Sequence, residues 1–349
     1  MKKDNIKMAK NNNLHTAMRN KNDEFYTMYN DIEDELLHYT EHFKNKIIYC
    51  NCDNPKYSNF WKYFHINFNK LGLKKLIATH YKAENISYKI EYIGKNDNDI
   101  NDGIISPLRG DGDFRSNECI EILKEADIII TNPPFSLFKQ YIAQLLQYNK
   151  HFIIWGNNNA ITYKNIFNAI KNNELWLGYL VNKTCIFRLA DNYDKWDIKI
   201  TQLFNDGYKY GKVPAISVFT NLDIEKRHQF LNLQTNYFCN TFYKYNNYNA
   251  INIDKINDIP FNYDGIMGVS ITFLDKYNPE QFQIIGIGYG ESAKLLGMQP
   301  IGNDFLNKYF EQGNKGNYVA NNVLCCYYDK DGNTKIPYAR ILIKRKKGL

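Results

Sequence analysis

The stretch Ala126-Asp127-Ile128-Ile129-Ile130-Thr131-Asn132-Pro133-Pro134-Phe135 decides how the rest of the chain is read. Its apolar half has the composition of a strand buried on both faces. From Ser136 to Leu146 the apolar residues recur at helical spacing instead. Thr131–Phe135 therefore forms a strand-to-helix turn at the C-terminal end of a strand, the edge where open α/β sheets bind ligands. Two consecutive prolines offer no N–H and a narrow range of φ, so the turn is stiff. A side-chain amide, a backbone carbonyl and an aromatic ring then share one small space.

Such a set suits a planar exocyclic amine. The Asn132 oxygen and the Pro133 carbonyl can each accept one N–H of an adenine amino group. This favours a pyramidal nitrogen with a more available lone pair, ready to attack an electrophilic methyl group in line. Phe135 offers a face for the base to stack on. The bland alternative is a rigid turn without chemistry; the strand before and the helix after are the context that favours a catalytic loop.

Outward from this turn, strands and helices alternate. Lys46–Cys52 reads as a strand ending in Asp53-Asn54-Pro55, and Ser58 is placed to cap a helix over 59–71. Lys74–His80 reads as a second strand, and Gly94–Gly103 as a surface loop. Gly110-Asp111-Gly112-Asp113-Phe114 follows a weak strand at Ile104-Ile105. Further strands are expected at 151–155, 174–180 and 213–220, with helices at 31–43, 117–124 and 162–171. This rhythm predicts a parallel sheet flanked by helices, an α/β fold. After about residue 223 Tyr and Asn dominate, and strand-like pieces at 271–274, 283–287 and 338–343 suggest an α+β region. The expected organisation is a basic arm over 1–22, a catalytic domain over 23–222 and a second domain over 223–349.

The 349 residues carry a formal net charge of +7. Residues 1–22 hold +5 of it and residues 341–349 hold +4, leaving −2 for everything between. Basic excess confined to the ends fits arms that neutralise phosphates, or simply solvated tails. The seven cysteines show no CxxC pairing, so reduced thiols of a cytosolic, cytoplasmic protein are expected, and no metal site. No secretory leader is read at the N-terminus, and no apolar run approaches the ~20 residues of a membrane span.

Asp23-Glu24-Phe25-Tyr26-Thr27, YCNCDNP (49–55), SNFWKYF (58–64), GDGDFRS (110–116), TNPPFSLF (131–138), LWLGYLVNKT (175–184), ITFLDKYNPEQF (271–282) and YARILIK (338–344) occur in one order. In these stretches the chain resembles the EcoRI-type family of DNA adenine-N6 methyltransferases. The resemblance implies a Rossmann-like methyltransferase sheet followed by a C-terminal target-recognition region. It also implies S-adenosylmethionine as donor, duplex DNA as substrate and a flipped-out adenine. Asn132, Pro133, Pro134 and Phe135 match the catalytic loop. Phe25, Tyr26 and Thr27 match the segment along the donor's methionine part. Cys50, Asn51 and Asp53 stand where the first loop wraps the donor, and Asp113 and Phe114 match the pair that meets its adenine. The target implied by the likeness is GAATTC, as the protective half of a restriction-modification system whose endonuclease need not form a stable complex. A monomer is expected. The first loop lacks glycines, and the second strand ends in Thr79-His80-Tyr81 without an acid for the ribose.

Lys183 and Arg188, read as lying beyond the strand at 174–180, are candidates to hold DNA phosphates. Asn158, in the run Asn157–Asn159, is a candidate for base contact or for capping the next helix. Methylation of a protein glutamine or an RNA guanine is the alternative within the same chemistry. A nuclease is a more distant one, from Glu280 with Glu291 and Lys294. A DNA-binding protein with an inactive methyltransferase fold is a third, against which the intact Asn-Pro-Pro-Phe loop counts.

Overall fold

The computed structural model describes residues 25–82, 85–94, 103–189 and 196–346. The basic arm expected over 1–22, Asp23-Glu24, most of the expected 94–103 loop and Lys347 lie outside the described residues. The chain divides into two units, residues 25–160 with 177–222, and residues 161–176 with 223–346. The segment 161–176, with its helix, thus groups with the second unit.

The first unit is built on β1 (Phe25–Thr27), β2 (Ile47–Cys50), β3 (Lys75–Thr79), β4 (Tyr88–Tyr92), β5 (Ile104–Pro107), β6 (Ile128–Thr131), β7 (His151–Asn157), β8 (Trp176–Leu177), β9 (Lys183–Leu189) and β10 (Tyr210–Thr220). They form a mixed sheet in the order β1-β9-β10-β7-β6-β2-β3-β4-β5, with β8 on β10. Among the described residues of this sheet, β7, β6, β2 and β3 run parallel. Antiparallel strands extend the sheet on both sides. The wholly parallel sheet expected from the alternation is therefore corrected to a parallel centre with antiparallel wings. Ile128, Ile129 and Ile130 are fully enclosed, which is why this strand shows no period-2 pattern.

The longer helices are α1 (Tyr29–Leu36), α2 (Asn59–Ile66), α3 (Asn117–Glu125), α4 (Phe138–Gln147), α5 (Lys164–Lys171), α6 (Ile198–Phe204), α7 (Gly290–Leu295) and α8 (Asn303–Glu311). Ser58 caps α2 by accepting from the Trp61 N–H. The helix expected over 59–71 breaks after Ile66 and resumes at Phe68–Leu71. The strand expected over 174–180 shrinks to β8. A buried carboxylate explains why. Glu35 accepts from the backbone N–H groups of Tyr179 (2.9 Å) and Leu180 (2.6 Å) and from the Tyr39 hydroxyl (2.7 Å), so these amides leave the ladder.

The second unit contains β11 (Ile251–Asn252), β12 (Met267–Ser270), β13 (Phe282–Ile287) and β16 (Arg340–Arg345) in the order β11-β12-β16-β13, with a separate pair β14 (Tyr327–Tyr328) and β15 (Thr334–Lys335). The strand expected at 271–274 is a 3-10 helix, Ile271–Lys276. Ser270 accepts from the Thr272 N–H and turns the chain there. Ile271, Phe273 and Leu274 supply buried rings and branches that read equally well as a strand. No helix among the described residues is long and apolar enough to cross a membrane.

Candidate functional site

The C-terminal ends of β2, β3, β6 and β7 lie side by side, so the loops that follow them share one edge. Asn132 follows β6 and is 5 % exposed. Its Nδ2 donates to the Phe25 carbonyl at 2.7 Å, which ties the catalytic-loop candidate to β1 across 107 positions of sequence. Its Oδ1 is buried and has no partner among the described residues. A buried amide oxygen left unpaired costs about 1–3 kcal/mol. The amide is thus fixed by one end, with its acceptor held open. Beyond it, Pro134 accepts from the Leu137 N–H at 2.9 Å, closing the turn that starts α4.

Phe135 is buried against two rings, Phe25 (centroids 5.6 Å apart) and Phe187 (6.4 Å). Phe25 and Phe187 are themselves 5.8 Å apart. The three rings come from β6's loop, β1 and β9, so the orientation of Phe135 is set by packing rather than by a ligand. On the same face of β1 as Phe25, Thr27 carries a second buried oxygen, Oγ1, without a partner among the described residues.

The first loop is shaped without glycine. Cys52 takes φ +88°, the left-handed region that a Gly-rich turn would use. Asn51 is pinned twice: its carbonyl accepts from the Thr131 hydroxyl, and its Oδ1 from the Tyr141 hydroxyl on α4. Asp53 Oδ2 accepts from Ser58 Oγ at 3.2 Å. Burial pushes the Cys50 thiol well above its ordinary pKa, helped by the nearby Asp53, so it stays protonated and structural.

The loop carrying Asp113 and Phe114 docks on the end of β3. The Asp111 carbonyl accepts from Lys82 N–H (2.7 Å), and the Gly110 carbonyl from Ser87 N–H (2.9 Å). Gly112 has φ +80°, and a Cβ there would collide with the His80 carbonyl oxygen. Asp113 is paired with Arg115 at 2.6 Å, whose hydrogen bonds hold its carboxyl below the usual range. Phe114 is buried edge-on to Tyr141, centroids 5.0 Å apart. Burial holds His80 neutral, lowering its pKa to about 4 with the help of Lys82.

Arg188 and Lys183 follow β8, as expected, but lie within a further strand, β9. The Arg188 guanidinium is stacked by Tyr208 (3.7 Å), Tyr57 (4.9 Å) and Tyr26 (5.1 Å). It sits beside the Phe25–Thr27 segment as a packed cation rather than a free arm. Lys183 is exposed. Asn158 is 3 % exposed and accepts from the Ser217 hydroxyl at 2.9 Å, so its side chain is committed to the sheet. Glu280 precedes β13, while Glu291 and Lys294 lie on α7. Among the described residues no group of three or more His, Cys, Asp or Glu is placed to hold a metal ion.

Sequence reasoning missed Tyr141, which joins the first loop to Phe114, and Phe187, which braces Phe135. For Phe187 a signal existed: in Lys183–Leu189, Cys185, Phe187 and Leu189 alternate as the buried face of a strand. For Tyr141 none did, because a buried tyrosine at helical spacing reads as core.

The family model described as adenine-specific methyltransferase EcoRI matches residues 13–346. The type II methyltransferase M.EcoRI of Escherichia coli is 42% identical over 97% of this chain and 98% of its own. Type II methyltransferase M.MgeORF184P of Mycoplasma genitalium is 42% identical, covering 77% of this chain and 84% of its own. M.MpnI of Mycoplasma pneumoniae is 39% identical, covering 77% and 83%. No solved structure matches.

Proposed function

We propose, from the premise that the chain belongs to the EcoRI family of adenine-specific methyltransferases, that it methylates N6 of adenine in duplex DNA with S-adenosylmethionine as donor. The observation that carries this reading is the Asn132 amide, clamped by its nitrogen to the Phe25 carbonyl while its buried oxygen stays unpaired. An acceptor held in this way is pre-organised for a donor that arrives from outside the chain.

Asn132 Oδ1 accepts one hydrogen of the adenine amino group, and the Pro133 carbonyl accepts the other. Both stabilise a nitrogen whose lone pair is turned towards the methyl group. The base stacks on Phe135, which requires it to leave the helix, since N6 inside a duplex is not accessible to a strand-edge loop. No strong base is needed, because the nitrogen becomes acidic only after methylation; its proton then passes to solvent.

The donor site fits the same edge. Thr27 and Asn132 hold unspent polar atoms, Asn51 and Asp53 line the first loop, and Phe114 gives a ring. When bound, S-adenosylmethionine supplies an electrophilic methyl group. Phe25–Thr27 would lie along its methionine part, the first loop at Cys50, Asn51 and Asp53 would wrap it, and Asp113 with Phe114 would meet its adenine. The Rossmann-like reading of the sheet rests on the four parallel strands and the ligand loops at their C-terminal ends. The second unit reads the target, Lys183 holds a phosphate, and Arg188 shapes the wall beside the donor. The target is GAATTC, and the protein acts as a monomer that guards DNA against an endonuclease of the same specificity.

The test is methyl transfer from labelled donor to duplexes carrying GAATTC, GAATTC already methylated on both strands, and a scrambled site. Label entering unmethylated GAATTC alone supports reaction and site together. Label in other DNA keeps the reaction and discards the site. No label in any DNA, from a protein that binds the donor, discards the DNA reading in favour of protein or RNA substrates.

A further inference from the structure

Asn51 stands at the meeting point of the donor loops, and the chain engages both of its acceptor oxygens. The Thr131 hydroxyl takes the backbone carbonyl and the Tyr141 hydroxyl takes Oδ1. The side-chain Nδ2 makes no hydrogen bond among the described residues, although Asn51 is 5 % exposed. An asparagine amide has two orientations, and in a buried corner its partners decide between them. A phenol that donates to Oδ1 forces the NH2 group to the opposite side. Tyr141 favours this state as long as its hydroxyl donates, and its ring is held in place. It is enclosed, lies one turn into α4, and packs edge-on against Phe114 at 5.0 Å.

We propose that Tyr141 is a positioning residue of the donor site: its hydroxyl locks the Asn51 amide with Nδ2 turned out as a donor to an acceptor oxygen of S-adenosylmethionine. The same ring braces Phe114, so one side chain registers the first loop against the adenine loop. This rests on the donor reading above and adds a residue to it. Without the hydroxyl the amide can flip, and its oxygen would then face the acceptor oxygen of the donor with repulsion.

The test is calorimetric binding of S-adenosylhomocysteine, with steady-state methylation beside it, in wild type, Tyr141→Phe, Asn51→Ala and the double variant. Tyr141→Phe is expected to weaken binding about 10-fold, the scale of one oriented hydrogen bond. KM for the donor should rise by a similar factor, and kcat should fall less than twofold. In the Asn51→Ala background the phenylalanine should cost nothing further, since its route is gone. Thermal melts exclude unfolding as the cause. Equal binding by wild type and Tyr141→Phe, or additive losses in the double variant, would overturn the proposal. Absence of binding by folded wild type would instead remove the donor reading on which it rests.

Discussion

In the first unit Asn132 and Asn51 are each 5 % exposed; in the second, Asn247, Asn252 and Asn278 are buried to a similar degree. Asn247 is saturated. Its Nδ2 donates to the carbonyls of Gln299 (2.7 Å) and Leu324 (2.9 Å), and its Oδ1 accepts from Cys326 N–H (3.4 Å). Asn278 donates to the His228 carbonyl (3.1 Å) and accepts from Glu280 N–H (2.7 Å). Asn252 accepts from Tyr245 and donates to Asp254. Asn132 and Asn51 each leave one end unspent. Where a unit is short of long strands, asparagines stand in for ladder hydrogen bonds. Where strands end at a ligand edge, the same residue keeps half its capacity in reserve.

The sharpest way to break this contrast is to delete one amide from each group. Asn132→Ala removes one hydrogen bond and an oxygen that was already unpaired. The expected loss in kcat is at least about 100-fold, as for other pre-organised partners of reacting atoms, with only a small fall in melting temperature. Asn247→Ala should do the reverse. It strips three backbone groups of their partner, at about 2–5 kcal/mol in urea unfolding, while donor binding by the folded fraction stays as in wild type. Equal destabilisation by the two would mean that Asn132 is architectural.

Next in size is Gly112→Ala. The residue sits at φ +80° with the His80 carbonyl where a Cβ would go. The loop carrying Asp113 and Phe114 must lift away from β3, at about 1–3 kcal/mol. Affinity for S-adenosylhomocysteine should fall with little change in the affinity of a DNA duplex. Loss of both would place the loop in the structure of the whole edge rather than in the donor site alone.

How much of this was legible in the sequence follows the range of the interactions. The apolar runs at 128–130 and 151–155, the Ser58 cap and the strand-to-helix turn at Thr131–Phe135 are local patterns, and the structure holds them where the pattern put them. The pairing of Phe25 with Leu189 and of Tyr26 with Arg188 joins segments about 160 positions apart, and nothing in either segment names the other. For that reason Lys183 and Arg188 are placed by sequence only as following the strand at 174–180, and the antiparallel wings are not foreseen. Asn158 shows the same limit: an asparagine at a strand end looks alike whether it faces a ligand or, as here, Ser217. The short β8 was hidden because its competitor, Glu35, lies on α1.

The last prediction concerns the floor beneath the adenine loop, where the contrast between spent and unspent groups should show as a pH dependence. His80 carries its carbonyl under Gly112, accepts the Ser87 hydroxyl at that carbonyl (2.6 Å), and packs its ring edge-on to Tyr88 at 5.0 Å. Burial lowers its pKa to about 4 from an ordinary 6.5. Between these values the unfolded chain binds a proton that the folded chain refuses, so stability rises with pH across that window. The contribution is complete above pH 6.5 and is lost progressively as pH falls to about 4. His80→Gln should flatten the fall of melting temperature over that range and leave the melting curve above pH 7 almost in place. An unchanged slope in the variant would mean that His80 takes up its proton in the folded protein without cost. The floor of the loop would then be open to solvent, and the docking of Asp113 and Phe114 would depend on the Gly112 approach alone.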